Sequence, residues 1–319
     1  MLLETFLPCV VKYSKGHKIF LIDNASQDDS VAFVKAKFPQ INTIELSKNY
    51  GYAQGYNKAV KQVKADIYCF LNSDVRVTLN WLDPVKKVFE KHPQASILQP
   101  KILDEKENDK FEYAGAAGGF IDQLGYPYCR GRIFETIEKD NGQYDGISEV
   151  FWASGACFFI RAQTFNELGG FDNNFFAHME EIDLCWRAHN LGHKVFCVGT
   201  SKIYHLGGQS ITVTNPNKTF LNFRNSLLTL TKNSSHPLFA SIFLRLILDG
   251  FAGLKFITQG RSNHLLAIIQ AHMSFYRHFP VAFNYRKKNK NRKGYKSVTS
   301  IVWKYYILKI KTFKKLKTH

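Results

Sequence analysis

The chain has 319 residues, of which 45% are hydrophobic and 22% are charged, so it is long enough for one large α/β domain. The formal net charge is +17, yet residues 277–319 hold 14 Lys and Arg and no acid, which leaves 29 basic and 26 acidic residues in a nearly neutral main body. The first residues lack a basic segment followed by an apolar one, and no stretch of 18 residues is free of charge, so neither a signal peptide nor a clear transmembrane helix is predicted.

The amino-terminal part alternates predicted helices with short apolar strands. Helices are predicted where apolar residues recur at helical spacing, at residues 2–13, 30–38 and 55–63. Buried strands are predicted at residues 18–23, 41–46 and 67–71. The regular alternation predicts a doubly wound, Rossmann-like α/β sheet.

A doubly wound nucleotide-binding unit normally opens with a central strand, whereas this chain opens on a helix. The strands at 18–23 and 67–71 would normally flank that strand. Without it, each exposes unpaired backbone groups along one edge unless the two strands come together. We therefore expect the working protein to start upstream of Met1, with an apolar strand of about five or six residues.

The apolar run Ile67–Leu71 predicts a strand buried on both faces, and it ends in Asn72, Ser73 and Asp74. Ligands of open α/β sheets bind outside the carboxyl ends of the strands. A carboxylate at this point can hold a divalent cation against a phosphate, as Mg²⁺ prefers. An ordinary polar turn is the alternative, because Asn, Ser and Asp are common turn residues.

The pattern changes after Val75. A helix is predicted at residues 79–92, a strand at 95–102, and an irregular polar region at 103–149. An apolar segment with a break of small residues follows at 150–161, and then a short helix at 164–168, a helix at 180–191 and a strand at 194–198. The six cysteines form no CxxC pair, so we interpret them as small buried hydrophobic residues in a reducing compartment.

Three carboxylates, Glu180, Glu181 and Asp183, stand at the start of a predicted helix after an aromatic loop. Acids in a first helical turn are favoured by the helix dipole alone, which is the simpler explanation. These acids are also surrounded by large apolar residues, and such surroundings raise the basicity of a carboxylate. The segment is therefore a candidate for a general base.

Four motifs occur in order along the chain: Asp23-Asn24-Ala25-Ser26, the segment 49–57, Leu71-Asn72-Ser73-Asp74, and Glu180-Glu181-Ile182-Asp183-Leu184. Together they resemble glycosyltransferase family 2, in particular its rhamnosyltransferase-like branch, over about residues 2–233. The resemblance implies a GT-A fold and an inverting, metal-dependent transfer of a sugar, with rhamnose one candidate. The donor would be a dTDP- or UDP-sugar, and the acceptor a lipid-linked sugar or polysaccharide in cell-surface glycan synthesis.

The resemblance also assigns donor-side roles. Asp23 stands where the family reads the nucleobase, although a helix-capping acid would look the same in sequence. Asp74 matches the last acid of the family's metal-binding triplet, and His205 matches a His that helps bind the metal, Mg²⁺ or Mn²⁺, or the diphosphate. Asn72 occupies a position where many members carry an Asp. The full set of donor-side residues is Asp23, Asn49, Gly51, Tyr52, Asn57, Asn72, Ser73 and Asp74.

Glu181 matches the catalytic base of the family. The pair is usually Glu-Asp there, whereas here it is Glu-Glu, which makes Glu180 a reserve candidate. Asp183 is a third member of the candidate catalytic set, with bracing of the loop or helix as its expected role. Trp152, Ser154 and Gly155 match a segment on the acceptor side, and core packing with a tight turn is the alternative.

The sequence predicts a division into a transferase domain at 1–236 and a helical, basic extension at 237–319. Apolar residues at helical spacing run from Phe239 to Phe251, and basic segments with Trp303, Tyr305 and Tyr306 follow. This combination favours an anionic membrane surface, on the cytoplasmic inner face, over a solvated tail. Two other hypotheses stay open: a catalytically silent relative, and a basic protein that binds nucleic acid, which is not expected from the transferase motifs.

Overall fold

The computed structural model describes residues 2–207, 215–295 and 297–316. The helices are α1 Leu2–Tyr13, α2 Ser30–Lys37, α3 Gly51–Ala59, α4 Leu82–Lys91, α5 Ala162–Glu167, α6 Glu180–Leu191, α7 Pro216–Asn233, α8 Leu238–Thr258, α9 Ser262–Lys288 and α10 Phe313–Leu316. The strands are β1 Phe20–Asp23, β2 Asn42–Glu45, β3 Ile67–Leu71, β4 Val75–Val77, β5 Ala95–Asp104, β6 Gly119–Ile121, β7 Pro127–Cys129, β8 Arg132–Ile133, β9 Thr136–Ile137, β10 Ile147–Val150, β11 Cys157–Arg161 and β12 Lys194–His205.

The strands form three sheets. The largest has six strands in the order β10-β12-β5-β11-β3, with β4 paired to the end of β12, and it mixes parallel and antiparallel pairs. β1 and β2 form a separate parallel pair, and β6 to β9 form a small antiparallel sheet. Successive residues of a strand point to opposite faces of the sheet. Phe158 and Phe159 of β11 accordingly belong to two different apolar cores, so both faces of the large sheet are covered. The predicted α/β class is confirmed.

The strands that were predicted to flank a missing central strand do not meet. Among the described residues, β1 pairs only with β2, and β3 pairs only with β11. β3 is therefore an edge strand, and its Cys69 is exposed. The prediction that Ile67–Leu71 is buried on both faces was wrong, since only Phe70 of this strand is buried, and the prediction of a buried thiol was wrong for Cys69 as well.

Several elements differ in extent from the sequence predictions, three of them in ways that affect the site or the fold. α3 begins at Gly51 rather than at residue 55, because Asn24 and Asn49 accept hydrogen bonds from the backbone amides of Tyr50 and Gly51 at the helix start. β12 continues past Val198 to His205 through an irregular register against β5. The region 103–149 is not irregular throughout, because it contains the small sheet β6 to β9.

The carboxyl-terminal helices share the main core. α9 packs along α7, and Leu238, Ile242, Phe275 and Ala282 belong to the same apolar cluster as α6. The predicted boundary at residue 236 falls between α7 and α8 and stays a prediction. Within the described residues, no helix is long and apolar enough to cross a membrane.

The predicted basic tail is ordered over most of its length. Ile301, Tyr305 and Phe313 pack against Tyr128 and Ile133 of the small sheet. Tyr305, predicted as an interfacial aromatic residue, is thus buried, because its ring packs on the aromatic side chains of the small-sheet region. Lys296 and residues 317–319 of the tail lie outside the described residues.

Candidate active site

Glu180 and Glu181 begin α6 but differ in exposure. The Glu180 side chain is buried, with 4% of the residue exposed, whereas Glu181 is partly exposed. The Glu181 carboxyl group lies against Gly155, and the backbone amides of Gly155, Ile182 and Glu181 itself favour its charged form. One oxygen of each glutamate has no hydrogen-bond partner within the protein. Of the two, Glu181 is the one that a substrate can reach.

The two glutamates also differ in basicity. Burial raises the pKa of Glu181 to about 7, although the three backbone amides work against this shift. Burial, followed by the neighbouring charge of Glu181, raises the pKa of Glu180 well above its usual range. Glu180 therefore holds its proton more strongly than an ordinary glutamate does, while Glu181, with a pKa of about 7, can accept a proton at neutral pH. This is the property that a general base needs.

Tyr52 connects the start of α3 to both sides of Glu181. Its hydroxyl donates to the Gly155 carbonyl at 2.8 Å, and its backbone amide donates to the Phe176 carbonyl at 2.7 Å. Gly51 lies at φ +72°, and a Cβ at this position would come within 2.3 Å of the Phe176 oxygen. The glycine thus permits the close approach of the loop before α6; the phosphate approach predicted for it stays a prediction.

The loop before α6 is held by carboxamide side chains. Asn57 donates to the Phe171 carbonyl at 2.8 Å and accepts from the Phe171 amide at 2.9 Å. Asn225 of α7, which is fully buried, donates to the carbonyls of Ala177 and His178. The loop is thereby fixed from α3 on one side and from α7 on the other.

The loop ends in two left-handed residues, His178 at φ +68° and Met179 at φ +72°. Residues with side chains rarely adopt this conformation, and consecutive cases are typical of functional segments. The His178 ring is buried without a partner at Nε2, and burial lowers the pKa of His178 to about 4. The reversal of the chain at these two residues sets the direction in which α6 presents its acids.

Asp183 has a different setting from the two glutamates. Its carboxylate is completely buried and contacts Arg187 and Lys232, each at 2.8 Å, and it accepts a hydrogen bond from Asn233. These contacts tie α6 to α7. They agree with the bracing role expected for Asp183, and its membership in the catalytic set stays a prediction.

Asp74 and His205 lie together at the end of β12. His205 Nε2 is 3.2 Å from Asp74 Oδ1, and His205 Nδ1 is 3.3 Å from Glu112 Oε1. All three side chains are buried. Glu112 was not predicted, since a single acid in a polar, glycine-rich region carries no distinctive pattern. The continuation of the His205 motif at Gly208, Gln209 and Ser210 lies outside the described residues.

The charges around His205 suit a cation. Burial opposes protonation of the ring, but the carboxylates of Asp74 and Glu112 outweigh it and raise the pKa of His205 to about 10. His205 Nδ1 is buried and makes no well-aligned hydrogen bond. In the part of the chain that the structure describes, no three His, Cys, Asp or Glu side chains converge as a complete metal cage. The Asp74 carboxylate is the hard oxygen donor that Mg²⁺ or Mn²⁺ prefers, and Mg²⁺ commonly takes its other ligands from phosphates and water. The His205 ring would have to lose a proton before it could ligate either ion.

The remaining donor-side residues lie at the ends of β1 and β3 and at the start of α3. Asp23 ends β1 and accepts a hydrogen bond from the Ser26 amide at 3.2 Å. Asn24 donates to Asn49 and to the Gly51 carbonyl, so the loops after β1 and β2 are joined. Ser73 is exposed, and the Asn72 amide donates to the Ala156 carbonyl at 2.9 Å. This last bond connects the Asp74 turn to the Gly155 turn.

Trp152 and Ser154, predicted on the acceptor side, have buried side chains. Trp152 Nε1 donates to the Phe120 carbonyl, and Ser154 Oγ donates to the Ala114 carbonyl. Both residues serve core packing and the turn, as the alternative interpretation proposed, while Gly155 is partly exposed beside Glu181. An acceptor contact by Trp152 or Ser154 stays a prediction.

The sequence of the chain is similar to a known protein family and to characterised proteins. Residues 1–169 match the family model described as glycosyl transferase family 2. An N-acetylglucosaminyl-diphospho-decaprenol L-rhamnosyltransferase of Mycobacterium tuberculosis is 25% identical over 222 residues, which cover 64% of this chain and 71% of that protein.

Solved structures share the fold at low sequence identity. The crystal structure of GalNAc-T7 with UDP, GalNAc and Mn²⁺ has a TM-score of 0.60 at 13% identity; the match covers 100% of this chain, which spans 55% of that one. The mannosyltransferase PcManGT from Pyrobaculum calidifontis, in complex with GDP-Man and Mn²⁺, has a TM-score of 0.51 at 11% identity, and the match covers 86% of this chain and 83% of that one. These likenesses show that the fold is GT-A, the fold that the sequence motifs implied.

Proposed function

Because the chain belongs to glycosyltransferase family 2 and is a glycosyltransferase, we propose that it transfers a sugar from a nucleotide-sugar donor to an acceptor hydroxyl with inversion. The observation that carries this proposal is Glu181, a partly exposed carboxylate whose pKa of about 7 lets it act as a base. Glu181 removes the proton from the acceptor hydroxyl. The acceptor oxygen then forms a bond to the anomeric carbon, while the bond from that carbon to the diphosphate oxygen breaks and the diphosphate leaves with the electron pair.

The residues around Glu181 hold it in place for this step. The Gly155 amide favours the charged form of the carboxylate, and Tyr52 fixes the Gly155 carbonyl from the other side. The loop before α6 is fixed by Asn57 and Asn225. Such preorganisation matters because errors of about 1 Å in the position of a base can cost on the order of 100-fold in rate.

Asp74 and His205 are the residues that would hold a divalent cation at the donor diphosphate. When bound, Mg²⁺ or Mn²⁺ supplies positive charge that stabilises the leaving nucleoside diphosphate. Asp23 and the loop of Asn49, which Asn24 joins by hydrogen bonds, are proposed to contact the nucleotide. The Mn²⁺ named with two fold relatives supports the choice of cation.

For the substrates, we propose a dTDP- or UDP-sugar donor and a lipid-linked or polysaccharide acceptor in cell-surface glycan synthesis. Rhamnose is the first candidate sugar, because the mycobacterial relative is named for L-rhamnosyl transfer to a diphospho-decaprenol lipid. A lipid-linked acceptor places the enzyme at a membrane, and we propose the cytoplasmic face, where nucleotide-sugars are available.

The test begins with a panel of dTDP-, UDP- and GDP-sugars with Mn²⁺, screened by thermal shift and then by donor hydrolysis and transfer. Glu181→Gln should keep donor binding and lose about 100- to 10,000-fold in transfer rate, the usual contribution of a general base. Glu180→Gln is the matched control, and it should retain most of the activity because the Glu180 side chain is buried and its burial favours the neutral form, which Gln resembles.

Two outcomes would contradict the proposal. An active Glu181→Gln with an inactive Glu180→Gln would make Glu180 the base. Donor binding without hydrolysis or transfer for any sugar would identify the chain as a catalytically silent relative.

A further inference from the structure

α8 has its charged residues inside and its apolar residues outside. Arg245 and Asp249 are 3% and 0% exposed, and they form an ion pair at 2.7 Å. Tyr126 donates to Asp249, and Ser226 accepts from Arg245, so the pair is satisfied inside the protein. On the opposite side, Phe239 and Phe243 are 70% and 65% exposed. An amphipathic helix on a water-facing surface shows the reverse arrangement.

The exposed apolar side chains of α8 run along most of the helix. We define the α8 face as Phe239, Phe243, Leu244, Ile247, Phe251 and Leu254, all of them exposed. At 1.5 Å per residue, this face is about 22 Å long. α9 runs back beside α8 and adds the exposed residues Leu266, Ile269, Met273 and Tyr276. Contiguous apolar surface of this extent on a folded protein indicates a binding site.

The exposed charges that α8 and α9 themselves carry are all positive. From residue 250 to the end of the chain there are 16 Lys and Arg and no Asp or Glu. On the two helices and their connection, Lys255, Arg261, Arg277, Lys287 and Lys288 are exposed. The described structure gives Lys255 an acidic partner, Glu135, in a partly exposed pair. The surface thus joins bulky apolar side chains to uncompensated positive charge.

We infer that the α8 face docks into an anionic lipid surface, with the phenylalanines inserted between the acyl chains and the basic residues at the headgroups. Amphipathic helices with Phe and Leu on one side and Lys and Arg around them bind membranes in this way. Each basic residue near such a surface contributes on the order of 1 kcal/mol. A second copy of the chain fits poorly, because a symmetric contact would bring the same cations together without acids to balance them.

This inference relies on the proposed function only for the membrane as the place where the enzyme works, and it narrows to the α8 face the membrane contact that the sequence predicted for residues 237–319. A deletion from Arg277 would cut α9 and remove Ala282 from the core. Point substitutions on the α8 face are therefore the sharper test. They change exposed side chains and leave the buried Arg245–Asp249 pair intact.

The experiment measures flotation of the full chain with phosphatidylcholine vesicles that contain or lack about one third phosphatidylglycerol. The double variant Phe243→Gln, Phe251→Gln should bind anionic vesicles at least tenfold more weakly than the wild type. Leu79→Gln is the matched control, since Leu79 is also 70% exposed but lies before α4. The variant Lys287→Glu, Lys288→Glu should also weaken binding, and salt should weaken binding of the wild type.

Three results would overturn the inference. The wild type could fail to bind anionic vesicles, or the Phe double variant could bind as well as Leu79→Gln. Alternatively, the wild type could be a dimer that the Phe double variant makes monomeric without a change in vesicle binding. None of these readouts requires sugar transfer, so a failure here and a failure of the proposed transferase reaction are distinguishable.

Discussion

Glu180 and Glu181 are adjacent residues of the same type, yet they differ in exposure and in pKa. The sequence predicted a carboxylate pair in apolar surroundings, and it favoured Glu181 by position in a motif. Burial, which depends on where α6 meets the Gly155 turn, is what separates the two side chains. That meeting joins residues far apart in the chain, so the periodicity of α6 alone could not predict it.

The pKa of Glu181 predicts the pH dependence of transfer. The base must be ionised, so kcat/KM should fall by about tenfold per pH unit below pH 7 and level off above it. The folded-state pKa is raised above the ordinary value of 4.5, so protonated Glu181 stabilises the fold at low pH. This stability is lost as the pH rises through about 7.

Thermal unfolding gives an independent check on the same residue. Glu181→Gln should melt at a higher temperature than the wild type at about pH 8, and the difference should shrink at about pH 6. An exposed acid provides the control, since Glu107→Gln should show no such pH-dependent difference. A flat activity profile between these pH values would contradict the assignment.

Asp74 is the side chain on which metal dependence is expected to rest. Asp74→Asn should lower Mg²⁺- or Mn²⁺-dependent transfer by more than about 100-fold, because the neutral amide is a much weaker ligand for a hard cation. The melting temperature should fall only in part, since the buried His205 ring loses one of its two carboxylate partners and keeps Glu112. Titration of Mn²⁺ into both proteins, with donor present, measures the change in metal affinity.

Asp109→Asn serves as the control for Asp74→Asn, because Asp109 is an exposed acid paired with Lys139. Full metal-dependent activity in Asp74→Asn would remove Asp74 from the site. The sequence pointed to Asp74 and His205 by separate signals: Asp74 follows a predicted strand, and His205 stands before a pair of glycines. Their contact, and the presence of Glu112, depend on β12 extending to His205, which the interrupted apolar pattern did not predict.

Among the elements, regular apolar spacing was the reliable signal. The bounds of α1 and α6 agree with the sequence prediction, because α1 keeps its buried apolar residues at helical spacing and α6 begins at its acidic first turn and ends at Gly192. The strands β8 and β9 were missed, since two residues are too few to show an alternating pattern. α3 starts earlier than predicted because side chains from another loop fix its first turn.

Gly51, the first residue of α3, should not tolerate a side chain. Gly51→Ala places a Cβ 2.3 Å from the Phe176 oxygen, so the loop before α6 must move. Transfer should fall at least about tenfold, because that loop positions Glu181. The measurements are kcat/KM and the free energy of unfolding.

Gly16→Ala is the matched control for Gly51→Ala. Gly16 has a similar φ of +81°, but its Cβ would meet no atom within 4 Å. Both variants bear the cost of the left-handed backbone, about 1–2 kcal/mol, and only Gly51→Ala adds the clash. Equal activity in the two variants would show that the approach of Phe176 to Gly51 is unimportant for transfer.

The molecule as a whole is more tightly connected than its composition indicated. Net charge divides the chain into a neutral body and a basic tail, and the sequence therefore predicted two parts. The fold places residues from both parts in one core, because α9 packs along α7. Amino-acid composition does not show which apolar residues pack together, so it could not predict the contacts that join the two parts.

Deletion of residues 237–319 should accordingly abolish cooperative folding. Four buried core residues, Leu238, Ile242, Phe275 and Ala282, would be lost, and the apolar face of α7 would meet water. At about 1.5–3 kcal/mol for each large side chain, the loss approaches the whole stability of a typical domain. Circular dichroism and thermal melting of residues 1–236 test this, and a sharp melting transition in that fragment would instead support two domains.

The left-handed backbone of His178 and Met179 has a consequence for laboratory evolution. Each residue costs about 1–2 kcal/mol in this conformation, and glycine at either position would remove that cost. Selection for heat resistance alone should therefore enrich glycine at these two sites. The same change would let the loop before Glu180 sample more conformations, so the hardier enzymes from such a selection should also be the slower ones.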